Sequence, residues 1–346
     1  MKVLIDTSPL KNENAIRGVG VYTKFLTEQF AQKNFSDIHL VSNASDNPDL
    51  IHYPYFDLFF PTLPILLSSP FKRVVTIHDV IPLLFPDHYK PGLKGTLNHF
   101  RQKSALRFID AVITDSEASK RDIEKYLGIS SEKIHVVYLA GNPKITEVST
   151  AKQQEVKTKY GLPQKYILYV GDINFNKNVP ELISALKFLP EELSLVCVGK
   201  NFKPQDIPEW HAIESMVQTV LGRTTFITDL GSDATSDLSA IYSGATAYVQ
   251  PSLAEGFGLP VLEAMQTKTL VVSAQNSSLI EVGGSCVKYV DTTAESIAEG
   301  VQKVLKLSQT EKKQLTEKAH LWSKQFSWQK TAEKTMTVYK KVLNLS

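Results

Sequence analysis

Apolar residues in this chain fall into short runs separated by stretches of helical spacing, and the alternation occurs twice. In the first half, Val3-Leu4-Ile5, Ile38-His39-Leu40-Val41, Val74-Val75-Thr76-Ile77 and Ala111-Val112-Ile113-Thr114 read as strands, with residues 133–138 as the last of the set. Between them, residues 19–30, 94–108 and 116–127 carry apolar positions at helical spacing. Over residues 141–164 the pattern lapses into Lys, Gln, Thr and Pro, which predicts a linker with at most a short polar helix. A second alternation follows through Tyr166-Ile167-Leu168-Tyr169-Val170 and the apolar runs at 182–188, 193–198, 225–227, 238–242, 247–249 and 270–272. Residues 311–344 read as strongly helical and carry Trp322, Phe326 and Trp328. Strands alternating with helices imply parallel sheets covered on both faces, with ligands beyond the carboxyl ends of the strands.

Bulk properties agree with this. A chain of 346 residues is long for one core and suits two domains. With 42% apolar and 21% charged residues, wholesale disorder is excluded. A net charge of +2 argues against a dedicated nucleic-acid binder while leaving room for a local basic patch. Cys197 and Cys286 each sit in apolar surroundings and read as buried free thiols of a reducing compartment. No uncharged apolar run is long enough to span a bilayer, and Met1-Lys2-Val3-Leu4-Ile5-Asp6 reads as a first strand rather than a signal peptide. A cytoplasmic protein is expected.

Candidate chemistry concentrates in Pro251-Ser252-Leu253-Ala254-Glu255-Gly256-Phe257-Gly258-Leu259-Pro260-Val261-Leu262-Glu263-Ala264-Met265. Pro251 ends the apolar run at 247–249, Gly256 and Gly258 permit close backbone approach, and Pro260 suits a first helical turn. Glu263 is expected in that first turn and Glu255 in the loop before it. Strand, glycine loop and helix N-terminus together favour a phosphate. A similar strand-loop-helix surrounds Gly171 and Lys177 in Gly171-Asp172-Ile173-Asn174-Phe175-Asn176-Lys177-Asn178. His78 and Asp79 end the strand run at 74–77, where α/β sites form; a loop histidine satisfied by Asp79 is the alternative reading. Asp115 also ends a strand, although helix capping by Ser116 explains that segment equally well.

The run from 251 to 265 resembles the E-x7-E signature of retaining GT-B glycosyltransferases of family 4, and the chain is identified on it as a member of that family. The resemblance implies two Rossmann-like domains facing a cleft, here 1–150 and 151–327, with a last helix, about 328–346, returning to the first domain. It implies hexose transfer, with mannose favoured by the His78-Asp79 loop, from a GDP- or UDP-sugar to a glycan or lipid-linked glycan acceptor, with retained configuration. No cofactor and no metal are implied. Glu263 would bind ribose and Glu255 the transferred sugar, with Gly256, Phe257, Gly258 and Leu259 serving sugar and phosphate. Lys177 matches a lysine on the diphosphate, and His78 a histidine beside the donor sugar. Arg17-Gly18-Val19-Gly20 resembles the first glycine loop, which places Gly18 and Gly20 near the donor; Asp79 and Asp115 fall on the acceptor side.

Departures from the family pattern bear on affinity. Asp172 and Asn176 stand where a second basic residue is common, so either Arg223 supplies that charge or the donor is held weakly. Lys268-Thr269 replaces a usual glycine-proline pair. These departures keep open a non-catalytic nucleotide-sugar-binding partner of a transferase, and the shared architecture keeps open a nucleotide-sugar epimerase. An aromatic, leucine-rich loop at 53–70 lies next to a basic stretch holding Lys90, Lys94, Arg101, Lys103 and Arg107. It reads either as a surface for an anionic membrane or as a core-packed loop beside a solvated helix face.

Overall fold

In a computed structural model of the protein, residues 1–11, 18–65, 69–231 and 234–345 are described. Arg17, Leu66 and Leu67 lie outside them. The chain divides into two compact units, Met1–Ala140 with Phe326–Ser346, and Gly141–Gln325.

The first unit runs β1 (Lys2–Ile5), α1 (Gly18–Phe30), β2 (His39–Val41), β3 (Leu50–Tyr53), β4 (Lys72–Thr76), α2 (Ile81–Leu84), α3 (Gly92–Leu106), β5 (Ala111–Thr114), α4 (Glu117–Leu127) and β6 (Ile134–Val136). The six strands are parallel in the order β2-β1-β3-β4-β5-β6. Strand β3 escaped the sequence reading because Leu50-Ile51-His52-Tyr53 is short and merges with the aromatic loop after it. The four residues are nevertheless all buried, as central parallel strands are.

The second unit runs α5 (Thr150–Tyr160), β7 (Tyr166–Val170), α6 (Val179–Ala185), β8 (Ser194–Val198), α7 (Pro208–Gln218), β9 (Thr224–Ile227), α8 (Ala234–Ser243), β10 (Ala247–Gln250), α9 (Leu259–Gln266), β11 (Val271–Ala274), α10 (Leu279–Gly283), β12 (Lys288–Val290), α11 (Ala294–Leu305) and α12 (Gln309–Ser323). Its parallel order is β12-β11-β10-β7-β8-β9. The order reverses between β7 and β10, the switch point where doubly wound sheets open a crevice. Residues 141–150 belong to this unit rather than to the first, and the segment is no free linker. The amides of Thr146 and Val148 donate to Ser239 and Ser243 of α8, and α5 is a full helix capped by Ser149.

The helical stretch at the C-terminus is broken in two. After α12, Ser327 accepts from the Lys330 amide and starts α13 (Trp328–Val342), which belongs to the first unit. There Trp328 stacks on Phe25, and the buried Tyr339 hydroxyl lies 2.6 Å from Nδ1 of His52. His52 Nε2 in turn meets Thr76, which also meets the Tyr22 hydroxyl. Burial holds His52 neutral, its pKa lowered to about 3. Cys197 and Cys286 are buried free thiols.

Candidate functional site

The loops after β7 and β10 meet at the switch point of the second sheet. The first carries Lys177, whose ammonium lies 2.8 Å from each oxygen of Glu255 on the second. The pair is largely shielded, with the side chains 21% and 9% exposed. Asn176 is not a vacancy left by a lost basic residue. Its buried side-chain amide donates to the Ala254 carbonyl while its backbone carbonyl accepts from the Leu253 amide, so it sews the lysine loop to the glutamate loop. Asn178, in left-handed backbone at φ 57°, adds bonds to the carbonyls of Pro251 and Thr292. Asp172 is also engaged, accepting from the Ile173 amide and from Asn201.

Glu255 is held from below as well. Its Oε1 accepts from Ser252 at 2.7 Å and Gln250 at 2.9 Å, and its amide donates to Ser277. Ser278 donates to the carbonyls of Glu255 and Phe257. The sequence reading named none of Gln250, Ser252, Ser277 and Ser278 as site residues. The available signal was a glutamine at the inner end of an apolar strand, where a buried amide requires partners.

Gly256 and Phe257 lead to Gly258, whose φ of 108° permits the turn into α9 at Leu259. A Cβ on Gly258 would approach Leu279 to 3.0 Å. Because α9 begins at Leu259, Glu263 sits in its second turn and not the first; no acidic residue occupies the first turn. Its carboxylate accepts from the Tyr242 hydroxyl at 3.0 Å and is bonded by the Asn142 backbone. Burial outweighs both bonds and raises its pKa to about 7.

Arg223 is not part of this arrangement. It precedes β9, at the amino end of the sheet, away from the carboxyl ends where Lys177 and Glu255 lie. Its guanidinium donates to the carbonyls of Leu186, Leu189, Pro190 and Leu193, tying off the connection between α6 and β8. An arginine in a turn after a helix carries the same sequence signal whether it faces a ligand or caps carbonyls. Lys268, by contrast, takes over the role of a glycine: it adopts φ 57° and is held by Glu147 and Glu317.

In the first unit, His78 follows β4 and Asp115 follows β5. The ring Nδ1 lies 2.7 Å from Asp115 and Nε2 lies 3.2 Å from the Pro54 carbonyl. Asp115, not Asp79, is thus the partner of His78; Asp79 accepts from the Ile81 amide and starts α2. Both ring nitrogens face acceptors, which suits the imidazolium. Burial alone would lower the pKa of His78, but Asp115 and then Asp79 carry it above the ordinary value. Burial raises the pKa of Asp115 against the pull of His78. Ser116 caps α4 as its position suggested, so capping and an Asp115 contact coexist on adjacent residues. Gly18 and Gly20 lie in the first turn of α1, and Tyr22 packs edge-on against His78 with ring centroids 5.0 Å apart.

Most of the basic stretch near the first sheet falls on α3, which buries Ala105 and Leu106 but turns other apolar side chains outward. Its inward Gln102 grips the preceding loop through Thr62 and Leu63, while Leu93, Leu97 and Phe100 face outward at 94%, 61% and 63% exposure. The loop itself divides: Phe56, Leu58 and Leu63 are buried, and Phe60 is exposed. Among the described residues, no helix is long and apolar enough to cross a membrane.

The group-1 glycosyl transferase model matches residues 152–322, and the Glycosyltransferase Family 4 model matches residues 5–142. Among curated relatives, the serotype-specific mannosyltransferase WbdA of Escherichia coli is 28% identical over 257 residues, covering 70% of this chain and 31% of that protein. The O-antigen chain mannosyltransferase B of Escherichia coli is 30% identical over 229 residues, covering 64% of this chain and 57% of its own length. The chain therefore spans about a third to three fifths of these two relatives. Among solved structures, Anabaena Alr3699/HepE in complex with UDP-glucose aligns over 100% of both chains with a TM-score of 0.75 at 16% identity. WaaG, a glycosyltransferase involved in lipopolysaccharide biosynthesis, aligns over 98% of this chain and 99% of its own at 0.69 and 15% identity. The two parallel six-stranded units are those of the GT-B fold, and the chain is a glycosyltransferase built of a Glycosyltransferase Family 4 domain followed by a group-1 glycosyl transferase domain.

Proposed function

We propose that this chain transfers a hexose from a nucleoside-diphosphate sugar to a hydroxyl of a glycan or lipid-linked glycan, with retained configuration and without a metal. One observation carries the reading: Lys177 and Glu255 meet at 2.8 Å at the switch point of the second sheet, with Glu263 on the helix that follows. An ammonium has three protons, and two are directed to Glu255, so the third is available to a diphosphate oxygen. Glu263 suits a ribose, whose vicinal hydroxyls donate to a carboxylate once the group is ionised. Glu255, fixed on one oxygen from below, suits the hydroxyls of the sugar. No side chain here is assigned as nucleophile; the leaving phosphate takes the acceptor proton on the face it departs from. Catalysis then rests on positioning and on charge stabilisation by Lys177.

In the first unit, the imidazolium of His78 is a donor for a sugar hydroxyl once its longer bond to Pro54 gives way. The named relatives are mannosyltransferases, one of them of an O-antigen chain, which supports mannose as the transferred sugar. The outward Leu93, Leu97 and Phe100 of α3 lie among Lys90, Lys94 and Arg101, with no acidic residue from 88 to 109. This surface supports contact with an anionic bilayer, at the cytoplasmic face, where a lipid-linked acceptor would be met.

The test is incubation with GDP-, UDP-, dTDP- and ADP-sugars and cell-extracted acceptors. A new α-glycosidic linkage in product NMR is expected from an α-linked donor sugar. Absence of both binding and turnover with every donor overturns the proposal.

A further inference from the structure

The second sheet ends in a one-way chain of hydrogen bonds that stops on Glu255. The Tyr248 hydroxyl donates to the carbonyl oxygen of the Gln250 side chain. The amide nitrogen of Gln250 donates to Ser252 at 2.7 Å and to Glu255 Oε1 at 2.9 Å, and Ser252 donates to the same Oε1 at 2.7 Å. Tyr248 and Ser252 are fully buried, and Gln250 is 2% exposed. The proton count leaves one polarity. A phenol offers one proton, an amide two and a hydroxyl one, and each of the four has its acceptor here. Rotating the Gln250 amide by 180° would set its carbonyl against Glu255 Oε1, two acceptors face to face in a buried site.

The consequence falls on the two oxygens of Glu255. Oε1 receives Gln250, Ser252 and Lys177, which fills it; Oε2 receives Lys177 alone. We propose that Gln250 is a positioning residue for the transfer, oriented by Tyr248, which fixes the Glu255 carboxylate so that Oε2 is the oxygen presented to the donor sugar. This rests on the reading of Glu255 as the sugar-binding carboxylate and adds to it three buried residues that act through it.

Two variants test it. Gln250→Met removes the amide with little change of volume, and Tyr248→Phe keeps the amide but removes the group that orients it. Each is compared with wild type in calorimetric titration with nucleoside diphosphate alone and in steady-state transfer from the nucleotide sugar. In Gln250→Met, diphosphate affinity is expected to stay within about twofold, while kcat/KM falls about tenfold or more, as loss of a hydrogen bond to a charged group implies. Tyr248→Phe should fall in the same direction by less. Equal losses for diphosphate and nucleotide sugar mean general damage to the loop and overturn the inference, as does unchanged kcat/KM in both variants. If wild type neither binds nor turns over any nucleotide sugar, the donor reading fails in that arm, before any variant is compared, and the inference falls with it.

Discussion

Lys177 holds its ammonium 2.8 Å from both oxygens of Glu255, joining a cation and an anion that the proposed function gives to different parts of one donor. Under the proposed function, a donor would exchange part of this internal ion pair for its own phosphate and hydroxyl groups. The two residues belong to separate loops, and Asn176 joins those loops through the Ala254 carbonyl.

This arrangement predicts opposite effects on two measurements. Glu255→Gln releases Lys177 from its counter-ion, so nucleoside diphosphate alone should bind severalfold tighter, on the order of 1 kcal/mol for a partly exposed pair. Sugar transfer should fall by about a hundredfold or more, because the amide no longer offers a charged acceptor. Calorimetric titration and a transfer assay on the same preparation check both; weaker diphosphate binding would remove Lys177 from the diphosphate site.

Arg223 should matter for folding and not for the donor. Arg223→Ala leaves several carbonyls between α6 and β8 without their donor, and a loss of about 2–4 kcal/mol is expected. Denaturant unfolding measures the loss, and the affinity of the folded variant for nucleoside diphosphate should equal that of wild type.

Glu263 should couple donor affinity to pH. Its pKa is raised from 4.5 to about 7 by burial, so the unfolded chain gives up this proton at lower pH than the folded one. Its contribution to stability is therefore full below pH 4.5 and is lost as pH rises to about 7. Donor affinity should run the other way, rising between pH 6 and 8 as the carboxylate becomes an acceptor for ribose. Glu263→Gln, which mimics the protonated form, should gain on the order of 2 kcal/mol at pH 8 and lose the pH dependence together with most of the affinity. Thermal unfolding and titration at pH 6, 7 and 8 check the pair of effects.

His52 gives the first unit an acid limb. Its pKa is lowered from 6.5 to about 3, so below pH 6.5 the unfolded state takes up a proton that the folded state refuses. Stability is full above pH 6.5 and should fall by about 1.4 kcal/mol per pH unit toward pH 3. His52→Gln, which can still bond Thr76 and Tyr339, should flatten that slope in urea unfolding at pH 7, 5.5 and 4.5.

Asp115 should govern His78. Asp115→Asn removes the charge that raises the His78 pKa, so that pKa should drop in NMR titration. Because His78 is raised in the folded state, the stabilisation it brings is full below pH 6.5 and fades as pH rises through the raised value. Transfer should fall about tenfold to a hundredfold in this variant, while diphosphate affinity, set in the other unit, stays unchanged.

Much of this was legible in the linear pattern. Strands β1, β4, β5, β7, β8 and β10 carry runs of apolar residues that have few other solutions, and they were placed to within two residues. The glycines and prolines around Glu255 mark a strand, a loop and a helix in the sequence, and the structure has them as β10 and α9. Strand β3 was lost in its aromatic neighbourhood, and the segment at 141–150 looked like a linker because its anchors, Ser239 and Ser243, lie about 95 positions away.

The sequence alone determined the class of fold and the strand-loop-helix segments that carry Lys177 and Glu255, because periodicity, glycine and proline act locally and report locally. Tertiary structure decided which side chains meet. It paired His78 with Asp115 and not with adjacent Asp79, moved Glu263 into the second turn of its helix, and set Gln250 beneath Glu255. It also took Arg223 away to cap carbonyls at the far end of the sheet. Those choices depend on strand order and on which buried polar group lacks a partner. Spacing along a chain encodes neither, since neighbours in a parallel sheet are joined through crossovers that set distant residues side by side.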